Sequence, residues 1–286
     1  MKNFNFTEGE VLLIDKPYKW TSFDVISKLR SHIRGRLGLK KIKVGHAGTL
    51  DPLATGLVIV CTGKFTKRIN EFQDAIKEYT GTFCLGATTP SFDLEKEIDE
   101  TFDISHLNEQ LILDTALQFI GDFDQMPPQF SAKKVNGKRA YEYARLNQEI
   151  DLQTRKITIS EFDITGIQLP EVDFRIVCTK GTYIRAIARD FGEALNCGGH
   201  LTVLRRTRNG QMKVEDAQTL DQIMEEISIW ANAEDKNKQI KEESQLILDF
   251  GHLKVVPYTH FRQLINRLSK YLILTYFYIN FANLFN

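Results

Sequence analysis

The chain has 286 residues, of which 42% are hydrophobic and 26% are charged, with 37 basic and 37 acidic residues. This length and composition predict a soluble globular protein with one sizeable hydrophobic core and at most a small appendage. The formal net charge is zero, so the chain as a whole lacks the basic excess that is common in nucleic-acid-binding proteins. Only local basic patches can therefore indicate whether it binds a nucleic acid.

Two features bear on the cellular compartment. The four cysteines are Cys61, Cys84, Cys178 and Cys197. They show no CxxC spacing and mostly lie in apolar runs, which indicates core residues rather than zinc ligands or disulfides. The first ten residues lack the apolar segment of a signal peptide, so we expect no export and a cytoplasmic location.

The first predicted elements are a strand and an amphipathic helix. Residues 10–15 form a short strand-like run that Pro17 ends, because proline cannot donate to a β-ladder. Thr21 or Ser22 can cap the helix that follows. Its predicted buried stripe recurs at helical spacing and consists of Phe23, Ile26, Leu29 and Ile33.

A basic run overlaps the end of this helix. Residues 28–43 contain no acidic residue but seven cations, namely Lys28, Arg30, Arg34, Arg36, Lys40, Lys41 and Lys43. Such a run favours contact with phosphate groups, although a solvated face is the alternative. Two further basic clusters lie at residues 133–139 and 205–208.

Residues 45–56 (GHAGTLDPLATG) concentrate unusual backbone choices in one segment. Glycines permit a left-handed backbone or close approach, Pro52 fixes φ directly after Asp51, and an apolar strand at 57–61 follows. The pattern predicts a rigid loop that feeds a buried strand. A carboxylate held in such a loop is a candidate nucleophile or general base, and an ordinary turn bonded to backbone N–H groups is the alternative.

The later elements alternate between strands and helices. Residues 77–86 alternate as a strand with Tyr79 on the apolar side, and further strands are predicted at 156–159, 172–178 and 201–204. One helix is predicted after a Ser105 cap, with an apolar stripe of Leu107, Leu111 and Leu117. Between these elements, the acid-rich run 93–103 would repel a nucleic acid and is predicted to lie away from one.

A second helix is predicted near residue 182. Thr182 is its candidate cap and Gly198 its end signal, with a buried stripe of Ile184, Ile187, Phe191 and Leu195. Arg185 lies next to that stripe, so its guanidinium could reach inward from the core face. The alternative is that Arg185 is an exposed cation on the surface.

The loop at 45–56 closely resembles the catalytic loop of the TruB-type tRNA pseudouridine synthases, which isomerise the T-loop uridine at position 55 of tRNA. Other stretches are similar to the family in the same order. They are 15–17 (DKP), 20–22 (WTS), 77–79 (KEY), 127–133 (PPQFSAK), 180–185 (KGTYIR) and 204–206 (LRR). The resemblance covers residues 11–214 and fades beyond them.

The resemblance implies roles for eight residues. Asp51 would be the nucleophile, Arg185 the cation that keeps it ionised, and Tyr79 the catalytic aromatic residue that packs against the target base. Five further matched positions would contact the substrate. They are His46, in the place of the displaced nucleotide, and Tyr183, Leu204, Lys16 and Lys133.

The resemblance also implies the architecture and the partners. The expected fold is the α+β pseudouridine-synthase fold, a mixed and largely antiparallel sheet with flanking helices and a central catalytic cleft. The expected partner is the T-arm stem-loop of tRNA. We expect no cofactor, no metal, no membrane and no obligate protein partner.

The sequence predicts a catalytic domain at 1–230 and a C-terminal extension at 231–286. Many family members carry a small RNA-binding PUA domain at this end, and the extension shows no convincing sign of one. A helix is predicted within 220–230. Residues 271–286 are uncharged and rich in aromatic residues, but they are shorter than the roughly 20 residues that a spanning helix needs.

Two alternatives to the isomerase remain at this point. A nucleosidase could use Asp51 on the same glycosidic bond, and it would release free base. A non-catalytic RNA-binding or RNA-folding protein would keep the basic clusters but would not need Asp51.

Overall fold

A computed structural model describes residues 3–130, 134–135, 138–139, 143 and 152–252 of the chain. Within these residues the strands are, in chain order, β1 (Val11–Lys16), β2 (Val44–His46), β3 (Thr55–Thr62), β4 (Lys77–Leu85), β5 (Ala87–Thr88), β6 (Glu100–Thr101), β7 (Gly121–Gln125), β8 (Lys134–Val135), β9 (Lys138–Arg139), β10 (Arg155–Gln168), β11 (Glu171–Cys178), β12 (Gly199–Asn209), β13 (Met212–Lys213) and β14 (Gln218–Thr219). The α-helices are α1 (Ser22–Leu37), α2 (Ile69–Gln73), α3 (Glu109–Gln118), α4 (Ile184–Ala194) and α5 (Leu220–His252). Short 3₁₀ helices occupy Gly63–Arg68 and Val214–Asp216.

One large mixed sheet organises the described part of the chain. Its strands follow the spatial order β14, β1, β3, β12, β4, β11, β10 and β7, with β2 paired to β3 and β13 paired to β12. The pairs β1–β14 and β3–β12 are parallel, and the remaining pairs of this sheet are antiparallel. This arrangement confirms the predicted α+β class with a mixed, largely antiparallel sheet.

Strand β3 lies near the middle of this sheet and is buried on both faces. Val58 and Val60 pack into the larger hydrophobic core, whereas Leu57, Ile59 and Cys61 pack into a smaller one. Burial on both faces explains why residues 57–61 are continuously apolar instead of alternating. The strand therefore gives the loop that precedes it a rigid support.

Helix α1 matches its predicted position, but its buried face differs from the prediction at one residue. Thr21 caps it in a capping box with Asp24, as the sequence predicts. Phe23, predicted to be buried, is instead 64% exposed. Phe23 is rotated by about 100° around the helix axis from Ser22, which is buried. Val25 is the residue of this turn that packs into the core.

Helix α3 starts later than the sequence predicts. Its cap is Asn108, whose side chain accepts a hydrogen bond from Leu111 N, whereas the Ser105 hydroxyl donates to Asp103. The predicted stripe is also wrong for Leu111 and Leu117, which are exposed, because Ile112 lies on the core side of the helix.

Helix α4 has the predicted buried stripe but different ends. Tyr183 is its N-cap residue without a side-chain hydrogen bond, and the Thr182 hydroxyl donates instead to Thr179 O at 2.9 Å. The helix ends at Ala194, before the predicted stop at Gly198.

The chain divides into two compact units, Met1–Trp230 and Ala231–Asn286. The first unit contains the large sheet. In the second unit the described residues, 231–252, are helical. Among the helices that the structure describes, none combines the length and apolar character needed to cross a membrane.

Candidate active site

The loop between β2 and β3 carries Asp51 and is fixed at its end by backbone contact. Gly48 and Gly56 have φ values of +96° and +101°, a region that glycine adopts without steric cost. A Cβ atom at Gly56 would lie 2.3 Å from the carbonyl oxygen of Arg206. Only glycine therefore lets β3 approach β12 at this level.

Two buried side chains hold the middle of the loop. Ser22 Oγ accepts a hydrogen bond from Leu50 N at 2.9 Å and donates to Leu50 O at 3.2 Å. Lys16 Nζ donates to Pro52 O at 3.2 Å and also to the carbonyls of two other residues. Burial lowers the pKa of Lys16 to about 8, as expected for an ammonium taken out of water. The backbone on both sides of Asp51 is thus tied to neighbouring elements.

Asp51 meets Arg185 at the N-terminal end of α4. Arg185 Nε donates to Asp51 Oδ2 at 2.8 Å. The Arg185 side chain is 4% exposed, whereas that of Asp51 is 38% exposed. The pair therefore consists of a buried cation and a carboxylate that remains accessible, and the charge-assisted hydrogen bond fixes the direction of the carboxylate.

Each nitrogen of the Arg185 guanidinium has a partner. Its Nη1 donates to Ser91 O at 3.1 Å and its Nη2 donates to Phe130 O at 2.8 Å. Asp93 Oδ2 lies 3.5 Å from its Nε. Burial disfavours the guanidinium charge, but the carboxylates of Asp51 and Asp93 outweigh this effect and raise the pKa of Arg185. The cation is therefore held permanently at this position.

Asp93 is a neighbour of Arg185 that was not predicted as a site residue. It opens the acid-rich run predicted to lie away from a nucleic acid, yet it is itself buried, with 4% exposed. The hydroxyls of Thr89 and Ser91 donate to its carbonyl oxygen, so the chain turns inward at this residue, while residues 94–100 are exposed. Nothing in the sequence distinguishes the first acid of the run from the others.

Asp51 opens onto a cleft of about 600 Å³, a size typical of small-ligand sites. Tyr79 of β4 forms part of its wall, and burial raises the pKa of the Tyr79 hydroxyl, which therefore stays protonated near neutrality. Other wall residues come from α4 and β12. The main side chains of the cleft are Asp51, Lys77, Tyr79, Tyr183, Arg185, Leu204 and Arg206.

The structure brings most of the predicted site residues together. Asp51, Tyr79, Tyr183, Arg185 and Leu204 all line the cleft. Lys16 and His46 are not among the residues that line it: Lys16 is buried behind the loop, and His46 lies in β2 opposite Val60. Lys133 lies outside the described residues. Substrate contact by these three stays a prediction.

Two buried cations of the cleft wall were not predicted as site residues. Arg206 Nε donates to Leu57 O at 2.7 Å, and its Nη2 donates to Gly48 O at 3.2 Å. Lys77 Nζ donates to the carbonyls of Gln73, which ends α2, and of Ala75, and burial lowers the pKa of Lys77 to about 8. Both side chains brace the backbone that forms the cleft.

The basic cluster at 205–208 has internal partners. Arg205 pairs with Asp15 at 2.7 Å, and Arg208 pairs with Glu78 at 3.3 Å. The structure therefore makes this cluster a poorer phosphate site than the sequence suggests. The cluster at 133–139 lies outside the residues whose side chains are described.

Comparison with known sequences gives matches along most of the chain. The family described as "TruB family pseudouridylate synthase (N terminal domain)" matches residues 34–184, and the "tRNA pseudouridylate synthase B C-terminal domain" matches residues 185–250. The tRNA pseudouridine synthase B of Flavobacterium johnsoniae is 61% identical over 213 residues, covering 74% of this chain and 93% of the relative. That of Phocaeicola vulgatus is 55% identical over 238 residues, covering 83% of this chain and 100% of the relative.

Solved structures show a similar fold. The structure described as "Crystal Structure of a Cbf5-Nop10-Gar1 Complex" matches with a TM-score of 0.59 and 27% identity, covering 79% of this chain and 56% of that one. The "Structure of H/ACA RNP bound to a substrate RNA containing 2'-deoxyuridine" matches with a TM-score of 0.58 and 25% identity, covering 80% of this chain. This chain spans just over half the length of those chains.

These matches include the strands, the loop and the helix that bring Asp51 and Arg185 together. One family domain matches more than half of the chain, and the relatives are more than half identical over nearly their whole length. The chain therefore belongs to the TruB family of pseudouridylate synthases and isomerises uridine to pseudouridine in tRNA.

Proposed function

We propose that the uridine isomerised by this enzyme is the T-loop uridine at position 55 of tRNA, and that Asp51 is the nucleophile. The observation that carries the proposal is the hydrogen bond between Asp51 and buried Arg185 at the wall of the cleft. It presents one oriented, accessible carboxylate to a space of about 600 Å³. A carboxylate in this position can add covalently to its substrate and depart later.

The proposed reaction conserves every heavy atom of the nucleotide. The bond between N1 of uracil and C1′ of ribose breaks, the base turns, and a bond between C5 and C1′ forms while Asp51 is covalently attached and then released. The C5 hydrogen leaves to solvent and N1 takes up a proton. No electrons are gained or lost, so the step requires no cofactor.

The target nucleotide has to leave its stack to reach Asp51. Base flipping costs a few kcal/mol, which stacking on an aromatic side chain can offset. Tyr79 is the wall residue that we propose to receive the base, and Tyr183 and Leu204 line the same cleft. We propose that His46 fills the space that the nucleotide leaves. Lys16 supports the loop, and Lys133 contacts the RNA.

A transcript assay tests the proposed position. Unmodified tRNA made by transcription is incubated with the enzyme without added cofactor, and pseudouridine is mapped along the chain. We expect conversion at position 55, and a transcript with cytidine at that position should give none. Conversion at another uridine would contradict the T-arm assignment, and release of free uracil would contradict isomerisation at this site.

Because tRNA is the proposed substrate, we place the enzyme in the cytoplasm.

The loop contacts predict the effect of Ser22→Ala. The change removes both hydrogen bonds to Leu50 and leaves buried backbone groups unpaired, so we expect a loss of stability of about 1–3 kcal/mol. A loosened loop should also lower turnover by about tenfold or more, because small displacements of reacting groups are costly. Thermal unfolding and single-turnover kinetics measure both effects.

The matched control for this variant is Ser31→Ala, since Ser31 is exposed on the same helix. Its stability should change by less than about 0.5 kcal/mol. Equal behaviour of the two variants would show that the Ser22 contacts do not hold the loop.

We further propose that residues 1–230 form the catalytic domain and that 231–286 are an extension. Trp230 packs against the rings of Phe4 and Phe6 at centroid distances of 5.5 and 5.9 Å, so a chain ended after Trp230 keeps these contacts. We expect the shortened protein to retain turnover on a T-arm stem-loop. Thermal unfolding of the same sample shows whether it is folded. A folded but inactive protein would place part of the active site in the extension.

A further inference from the structure

Strand β12 contains an extra residue where it passes the cleft. Arg206 pairs with Tyr79 of β4, whereas Arg208 pairs with Glu78, the residue before Tyr79. Thr207 is therefore an additional residue in β12 and forms a β-bulge. Bulges often lie next to active sites, where they change the direction in which side chains point.

The bulge divides the side chains of β12 between the two faces of the sheet. In a regular strand alternate residues share a face, so Arg206 and Arg208 would point the same way. Here Arg206 is buried and lines the cleft, whereas Thr207 and Arg208 both reach Glu78. Glu78 precedes Tyr79 in β4 and points away from the cleft, because neighbours in a strand face opposite sides. The face that carries Glu78 is termed the outer face.

Glu78 joins three strands on the outer face. Its carboxylate accepts a hydrogen bond from Thr207 Oγ1 at 2.8 Å, and the same hydroxyl lies 3.3 Å from the carbonyl oxygen of Glu78. The guanidinium of Arg208 donates to the carboxylate at 3.3 Å, and that of Arg175 in β11 donates at 2.8 Å. The Glu78 side chain is only 17% exposed, so water screens these contacts less than those of a surface ion pair. The bulge is thus fastened to β4 directly before Tyr79.

Arg206 makes the corresponding contacts on the cleft side of the sheet. Its Nε donates to Leu57 O in β3 at 2.7 Å, and its Nη2 donates at 3.2 Å to Gly48 O in the loop that carries Asp51. Burial raises the pKa of the Tyr79 hydroxyl, and the nearby Arg206 guanidinium opposes this effect. Arg206 therefore connects the catalytic loop to the wall of the cleft at Tyr79.

We propose that Glu78 and Thr207 are positioning residues for the isomerisation. They hold the bulge from the outer face, and the bulge sets the place of Arg206 on the cleft side. Because a guanidinium is planar and rigid, a shift of the bulge would move the catalytic loop relative to Tyr79. Small displacements of reacting groups are costly for turnover. The inference rests on the proposed roles of Asp51 and Tyr79.

Two variants of Thr207 test the role of its hydroxyl. Thr207→Val keeps the shape of the side chain but removes the hydrogen bond to Glu78, whereas Thr207→Ser keeps the hydroxyl. We expect Thr207→Val to lower the single-turnover rate on tRNA by about tenfold, and Thr207→Ser to keep most of the wild-type rate. The Kd for tRNA should stay close to that of the wild type in both, because Thr207 does not line the cleft. A wild-type rate in Thr207→Val, or an equal loss in Thr207→Ser, would overturn the inference.

Glu78→Gln and Glu161→Gln separate the bulge from the ion pairs of the outer face. Both carboxylates pair with Arg175, at 2.8 and 2.6 Å, but Glu78 also contacts Thr207 and Arg208 of β12. An amide has one acceptor oxygen, so Gln at position 78 cannot accept from all three donors. We expect Glu78→Gln to lower the single-turnover rate by about tenfold and Glu161→Gln to leave it unchanged. Equal rates in the two variants would overturn the inference.

A double variant shows whether Thr207 acts through Arg206. Arg206→Lys keeps the charge but loses the planar fork. Adding Thr207→Val to it should slow the reaction little further, because residues that act through one another are not additive. Rate losses that multiply would overturn the inference.

Thermal unfolding shows which of these variants are folded at the assay temperature. If Arg206→Lys is unfolded, the Thr207 and Glu78 comparisons decide the inference without it. Turnover by Asp51→Asn is a separate result that concerns the proposed function, because the Thr207 and Glu78 variants are compared with the wild type on the same tRNA.

Discussion

Replacing Asp51 with asparagine is expected to lower turnover by more than about 1,000-fold, because an amide is nearly isosteric with the carboxylate but cannot act as the nucleophile. Binding of tRNA should stay within a few-fold of the wild type, since the shape of the cleft is preserved. Single-turnover conversion of a tRNA transcript measures the rate, and filter binding measures the affinity.

The matched control is Asp74→Asn. Asp74 also lines the cleft, but its carboxylate pairs with exposed Lys180 at 2.7 Å, and such surface pairs contribute little to stability. Turnover of this control should stay close to that of the wild type. If Asp51→Asn kept more than a tenth of wild-type turnover, Asp51 would not be the nucleophile.

Arg185→Lys should have the second largest effect. The substitution keeps the charge but loses the planar fork that reaches Asp51, Ser91 and Phe130 together. We expect turnover to fall by about 100-fold, because the carboxylate is no longer held in one direction. Binding should change less than turnover. Single-turnover kinetics and binding on the same tRNA separate the two quantities.

The same substitution one turn further along α4 is the control for this prediction. Arg189 is half-buried and pairs with neighbouring Asp190, whereas Asp51 pairs with Arg185, so Arg189→Lys should have little effect on turnover. Thermal unfolding excludes a general loss of structure in either variant. Wild-type turnover in Arg185→Lys would mean that the guanidinium geometry at Asp51 is not used in the reaction.

The sequence was sufficient to predict the parts of the site that depend on local pattern or family resemblance. Gly48 and Gly56 mark the loop, the buried stripe of α4 places Arg185 near the core, and alternation in β4 places Tyr79 on the apolar face. Each of these signals acts over a few residues, and the structure agrees with it.

The sequence did not predict contacts between residues that are distant along the chain. Ser22 holds Leu50 across 28 positions, and Asp93 approaches Arg185 only when the sheet is assembled. Neither side chain differs in type from its exposed neighbours. Helix ends were similarly misplaced, because the cap at Asn108 competes with other residues that are equally able to cap.

The fate of the hydrogen at C5 of uridine shows directly whether Asp51 catalyses isomerisation. A tRNA transcript that carries tritium at this position in its uridines is mixed with excess enzyme, and tritium in water and free uracil are measured together. We expect the wild type to release the tritium of a single uridine per tRNA without forming free uracil, and we expect Asp51→Asn to release none. Appearance of free uracil would contradict isomerisation, and tritium release by Asp51→Asn at the wild-type rate would contradict the role of Asp51 as nucleophile.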